Sequence, residues 1–149
     1  MKLRKRGAVN IVGAVQLKET GRPEWIYSKR PIKPDWAEHE FYLTEFLMDF
    51  LEYEIVRGND VDGDVLPDAE IIGKVRTYVE LDMHTEGYEK IKSRMKKHLN
   101  HKNAVVWVCH SETRMKGLMK HAPNEMWFTV LGWGKWISSK GVEKVFKKC

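Results

Sequence analysis

The stretch Ala104 to Cys109 reads Ala-Val-Val-Trp-Val-Cys, six residues without a charge between Asn103 and His110. An unbroken apolar run of this length, rich in β-branched residues, marks a strand covered on both faces. Such a strand needs a layer above and a layer below it, which points to an α/β fold with helices laid on a sheet.

The neighbouring patterns supply those layers. Thr85 stands where it caps a helix with Tyr88, Ile91, Met95 and Leu99 on one face and Lys90, Arg94 and Lys97 on another. Ser111 caps a second helix through about Lys120, and Met126 to Leu131 is a further strand. Upstream, Tyr53 to Arg57, Val65 to Ile72 and Lys74 to Met83 read as strands, the last two joined at Gly73 as an antiparallel pair. Asp35 is placed to cap a helix over about 36 to 52, in which Trp36, Phe41, Leu43, Phe46, Leu47, Phe50 and Leu51 recur at helical spacing. Gly7 to Ser28 reads as a β-hairpin turning at Glu19-Thr20-Gly21-Arg22-Pro23. The tail, with Trp133, Trp136, Val142, Val145 and Phe146, is expected to close the fold as a short helix. The predicted order is a hairpin over residues 1–30, then α-β-β-β-α-β-α-β over 31–149.

With 149 residues, 42% apolar and 32% charged, the chain buries a core without needing disulfides. Cys109 and Cys149 lack CxxC or histidine-spaced neighbours and read as free thiols of a reducing cytoplasm. No apolar stretch approaches the roughly 20 residues of a bilayer crossing. No cleavage pattern follows the basic N-terminus, so neither a span nor a signal peptide is expected. Lys plus Arg total 26 against 21 for Asp plus Glu, and the net charge of +5 weakly favours a polyanionic partner.

Acidic residues gather on the paired strands. Asp68, in Leu66-Pro67-Asp68-Ala69, opens one strand, and Glu80-Leu81-Asp82 closes the next. Pairing through Gly73 brings the three carboxylates to one end of the hairpin, with Glu80 and Asp82 on one face. Clustered carboxylate oxygens suit Mg²⁺ or Mn²⁺, and such an ion activates water and stabilises a leaving oxygen. On spacing alone, a solvated strand face and ordinary turn chemistry explain these acids equally well.

The arrangement resembles the PD-(D/E)XK nuclease fold: an α-β-β-β-α-β core, Pro67-Asp68 on the second core strand and Glu80 on the third. A narrower resemblance is to the replication-relaxation family of plasmid and mobile-element proteins, in which a winged-helix segment precedes a nuclease-like domain. The matching motifs are Gly21-Arg22-Pro23, His39 at a helix start, Pro67-Asp68-Ala69, Glu80-Leu81-Asp82 and Thr85-Glu86, followed by a basic helix. They cover roughly residues 7 to 131. On this resemblance the hairpin is the wing of a winged helix whose recognition helix is missing. Two residues after its acid the nuclease signature has Lys, where this chain has Asp82. Arg94 and His98 stand at the family's Lys and aromatic positions, and Lys90, one turn earlier, is a substitute for that Lys. Arginine stabilises phosphate charge but does not readily give up a proton.

The expected site is therefore Asp68, Glu80 and Asp82 as metal ligands, with Lys90 or Arg94 steadying the scissile phosphate. His39 is the weaker member, since a lone histidine near a helix start is ordinarily a surface residue. Arg22 at the wing tip and Lys92, Lys96 and Lys97 on the basic helix form an expected phosphate track. Asp60-Val61-Asp62-Gly63-Asp64 lacks the calcium-loop spacing, and His98, His101, His110 and His121 lack a zinc spacing. Trp133 and Trp136 read as core closure ahead of base stacking.

The function these features imply is that of a cytoplasmic DNA-processing protein of a mobile element, acting as a Mg²⁺-dependent endonuclease or nickase. The rival is a non-catalytic DNA-binding accessory of replication or relaxosome proteins. A third reading makes the hairpin a strand donor to a protein partner.

Overall fold

The computed structural model describes residues 10–15, 24–28, 34–57, 65–100 and 103–146. In chain order the elements are β1 (Asn10–Val15), β2 (Glu24–Ser28), α1 (Pro34–Leu47), β3 (Glu54–Arg57), β4 (Ala69–Ile72) and β5 (Arg76–Asp82). These are followed by α2 (Tyr88–Lys97), β6 (Ala104–Cys109), α3 (Glu112–Met119), β7 (Trp127–Val130), β8 (Lys135–Ser138) and β9 (Glu143–Val145). Single 3₁₀ turns follow α1 at Met48–Phe50 and α2 at His98–Asn100. The chain divides into two compact units, Met1–Glu45 and Phe46–Cys149.

In the first unit β1 and β2 pair antiparallel, with an irregularity between Ile11 and Gly13. The expected hairpin is therefore present. Its turn, with Arg22, lies outside the described residues, as do the acidic loop of residues 60–64, His101 and Cys149. Asp35 does not cap α1: the helix begins at Pro34. Proline suits the first helical position because its φ is already helical and its missing N–H is not needed there.

The second unit is built on a mixed sheet in the order β3-β4-β5-β6-β7-β8-β9. β3, β4 and β5 form an antiparallel meander, β5, β6 and β7 run parallel, and β7, β8 and β9 are antiparallel. The chain thus runs α-β-β-β-α-β from α1 to β6, and β6 holds the central place its apolar sequence demands.

Alternation along the strands divides the core in two. Tyr78, Val105, Trp107, Cys109, Phe128 and Val130 share one face and pack with Ile91 and Met95 of α2 and Met115 and Leu118 of α3. Val79, Val106 and Val108 point the other way and are also fully buried. On that side Phe46, Phe50, Trp136 and Phe146 form a ring cluster with centroid separations of 5.0 to 6.4 Å. Each large apolar side chain buried this way contributes about 1.5–3 kcal/mol. Trp133 packs against the other core, as its reading as core closure required, whereas Trp136 joins the ring cluster while staying half-buried at its edge.

Two further expectations fail at element ends. The tail is not a helix: β8 and β9 form a hairpin, and Phe146 N donates to Gly134 O at 3.2 Å beyond its last paired residue. Gly132, Gly134 and Gly141 have φ of 82°, 66° and 86°, a left-handed backbone that breaks a helix and turns a hairpin. Thr85 does not cap α2 either. The helix starts at Tyr88 with extended Gly87 as its cap residue, and the Gly87 carbonyl accepts from the Lys90 and Ile91 amides. Glu86, just before it, is drawn into the ion pairs described below.

Burial pushes the Cys109 thiol up, and the Asp82 carboxylate adds to the shift. With Cys149 replaced by serine, native protein at about pH 8 is expected to leave Cys109 unmodified by iodoacetamide and to react fully once unfolded. Equal rates before and after unfolding would show that β6 is open to solvent.

Candidate functional site

The register of β4 against β5 pairs Ala69 with Val79, which sets Asp68 opposite Glu80. Asp68 Oδ2 accepts the Leu81 amide at 2.7 Å, so this acid is tied to the neighbouring strand's backbone. Glu80 and Asp82, two residues apart on β5, share the face covered by α2 and α3, and each is only 2% exposed. Asp68 and Glu80 therefore face each other at one end of the hairpin, and Asp82 shares Glu80's side of β5.

The partners of those acids are what the sequence pattern did not reveal. Glu80 Oε1 meets His98 Nε2 at 2.7 Å, and its Oε2 accepts from Arg94 Nη2. Arg94 also donates to Glu86 Oε2 at 3.2 Å, with its guanidinium 5.5 Å from the Trp107 ring centroid. Asp82 is held in a two-point pair by Arg114, whose Nε and Nη2 donate to Oδ2 and Oδ1 at 2.6 and 3.0 Å. Both side chains of this pair are essentially excluded from solvent. Arg114 Nη2 reaches the Glu86 main-chain oxygen at 2.6 Å, and its guanidinium lies 4.5 Å from the Tyr88 ring centroid. Tyr88 in turn stacks on His121 at 5.0 Å and lies where any side chain at Gly117 would collide with it.

The electrostatics follow from these contacts. Burial works against the Arg94 charge, but the carboxylates of Glu80, Asp68 and Glu86 outweigh it and hold its pKa above the ordinary value. The hydrogen bond to Asp82 raises Arg114 in the same sense, against the cost of burial. For Glu86, burial pushes the carboxyl up, and the Lys90 and Arg94 cations more than reverse this, so it titrates below the usual range. A carboxyl lowered in the folded state stabilises above its unfolded pKa of about 4.3 and loses that contribution as pH falls through the folded value. Glu86→Gln is therefore expected to melt below wild type at neutral pH, with the gap closing between about pH 5 and pH 3. Thermal melts across that range check it, and a gap constant with pH would contradict it.

Both oxygens of Glu80 and both of Asp82 are thus occupied by the chain's own side chains, Arg94 and His98 on the first and Arg114 on the second. Among the described residues no group of three or more histidine, cysteine, aspartate or glutamate side chains is arranged to hold a metal ion. In this arrangement the donor set does not fit Mg²⁺ or Mn²⁺, because an ion would have to displace a guanidinium from a buried carboxylate. Lys90 pairs with Glu86 one turn back, and Arg94 rather than Lys90 meets Glu80. His39 lies on α1 in the first unit, with Nδ1 3.9 Å from Glu40 Oε1 and its ring edge-on to Trp36.

Lys92, Lys96 and Lys97 lie on the outer side of α2, Lys92 half-buried and the other two exposed, and none pairs with a carboxylate among the described residues. The sequence reading missed Arg114 and gave His98 only a place in the family pattern, yet both had a signal. Arg114 sits beside Met115 and one turn from Leu118, both buried, and His98 continues the Ile91-Met95 stripe. A charge on a buried helix stripe calls for a buried counter-charge, and Glu80 and Asp82 on the facing strand supply it.

No protein-family model matches the chain, and neither the curated proteins nor the solved structures contain a match to it. No helix among the described residues is long and apolar enough to cross a membrane.

Proposed function

We propose that this chain is a cytoplasmic DNA-handling protein of a mobile element, similar to the replication-relaxation family, in which a PD-(D/E)XK-like core binds DNA without cutting it. One observation carries the reading: α2 presents Lys92, Lys96 and Lys97 without counter-ions among the described residues, while the acids behind them are neutralised from within. Unneutralised lysines release counter-ions when they meet phosphates, which gives affinity that falls steeply with salt. Acids already matched by arginine and histidine add little repulsion to an approaching backbone. In this role the protein is an accessory to replication or relaxosome proteins.

A second reading, a Mg²⁺- or Mn²⁺-dependent endonuclease or nickase, is favoured by Asp68 facing Glu80 across two core strands of nuclease-like order. Incubation with supercoiled plasmid and either ion, beside binding titrations at several salt concentrations, separates the two. Salt-steep binding with intact plasmid is the expected result. Nicking that disappears in Asp68→Ala selects the second reading, and neither binding nor nicking removes both.

A further inference from the structure

The sheet face opposite α2 carries a groove that the acidic cluster does not use. Thr77 lines this groove, whereas its neighbour Tyr78 packs with α2, so groove and cluster lie on opposite sides of β5. Phe50, Tyr53, Trp136 and Phe146 wall a volume of about 560 Å³, and Lys74 and Lys144 stand among them. Among the described residues, none that lines the groove is acidic. Neither lysine pairs with a carboxylate among the described residues, and Lys144 Nζ lies 4.5 Å from the Trp127 ring centroid. Val75 and Val145 in the same wall are 63% and 76% exposed, apolar surface of the kind that marks a binding groove.

Flat rings beside two ammonium groups that pair with no carboxylate among the described residues complement a flat ligand that carries negative charge. We propose that this groove takes an unpaired nucleobase of single-stranded DNA, stacked among the aromatic rings, with its phosphate held by Lys74 and Lys144. Stacking accepts any base because every base has a π face, and the lysines meet a phosphate that every nucleotide carries. A duplex keeps its bases inside the stack and cannot fill the groove. The proposal rests on the DNA-handling reading but assigns it a second surface, separate from α2.

The test titrates the intact protein with a short oligothymidylate, with a duplex of equal length and with thymidine 5′-monophosphate, following tryptophan emission and the anisotropy of labelled strands. Oligothymidylate is expected to quench the emission, and Trp136→Phe to remove most of that quenching. Lys74→Glu combined with Lys144→Glu is expected to weaken single-strand binding by about tenfold or more, leaving duplex binding unchanged. Both lysines are at exposed positions of a turn and an edge strand, and circular dichroism verifies that the double variant folds. Equal single-strand affinity in wild type and this variant overturns the groove. Quenching by the mononucleotide at the same midpoint as by the strand also overturns it, in favour of a free nucleotide. If duplex binding is absent but single-strand binding needs Lys74 and Lys144, the groove stands and the α2 surface fails. If reversing Lys92, Lys96 and Lys97 removes all DNA binding while Lys74 and Lys144 have no effect, α2 stands and the groove fails.

Discussion

Arg114→Leu is expected to lower the unfolding free energy by about 3–5 kcal/mol, the cost of leaving a buried charge without its partner. The residue left behind is Asp82, on a strand flanked on both sides and sealed by α2 and α3. Asp82→Leu should cost a similar amount for the mirror-image reason. The combination of Asp82→Leu with Arg114→Met should recover most of the loss, since replacing a buried ion pair with well-packed apolar residues is often neutral or stabilising. Whole domains are stable by only about 5–15 kcal/mol, so either single variant removes a large part of the total. Denaturant titrations of the four proteins give the coupling directly. Single variants that cost under about 1 kcal/mol would mean that the pair behaves as a surface contact.

The second large effect concerns binding. Lys92→Glu, Lys96→Glu and Lys97→Glu together are expected to reduce duplex affinity by about a thousandfold near 0.1 M salt, and to flatten the slope of log Kobs against log salt by about 3. The change in slope counts the lost phosphate contacts, whereas a general loss of fold would not produce a defined decrement. The fold should survive, because these side chains stand on the outer side of α2 without ion-pair partners among the described residues; the acids placed in its last turn at 96 and 97 cost about 0.3–1 kcal/mol each. An unchanged slope would move the DNA surface away from this helix.

Much of the architecture was readable from residue pattern alone. The apolar run at 104–109 required a central strand, and Ser111 does cap α3, its Oγ accepting the Arg114 amide at 3.2 Å. Pairing through Gly73 placed Asp68 across from Glu80, as the register bears out. The tail was misread because Trp136, Ile137, Val142 and Val145 are as compatible with a helix as with strands. Positive-φ glycines decide between the two, and φ is not visible in a sequence. The state of the acids was hidden for a different reason. The acids themselves gave no sign of their partners; the signal lay on the helices, whose arginines stand 14 and 32 residues further along the chain. Their meeting depends on two crossovers, which no local pattern encodes.

That separation has a consequence for how the molecule is made. β5 is synthesised with both its carboxylates, but the arginine that closes on Asp82 arrives only with α3, after β6 has been laid parallel to β5. Until then Asp82 is a charge without its partner, so closure of this face of β5 is expected to come late, after α3 has emerged.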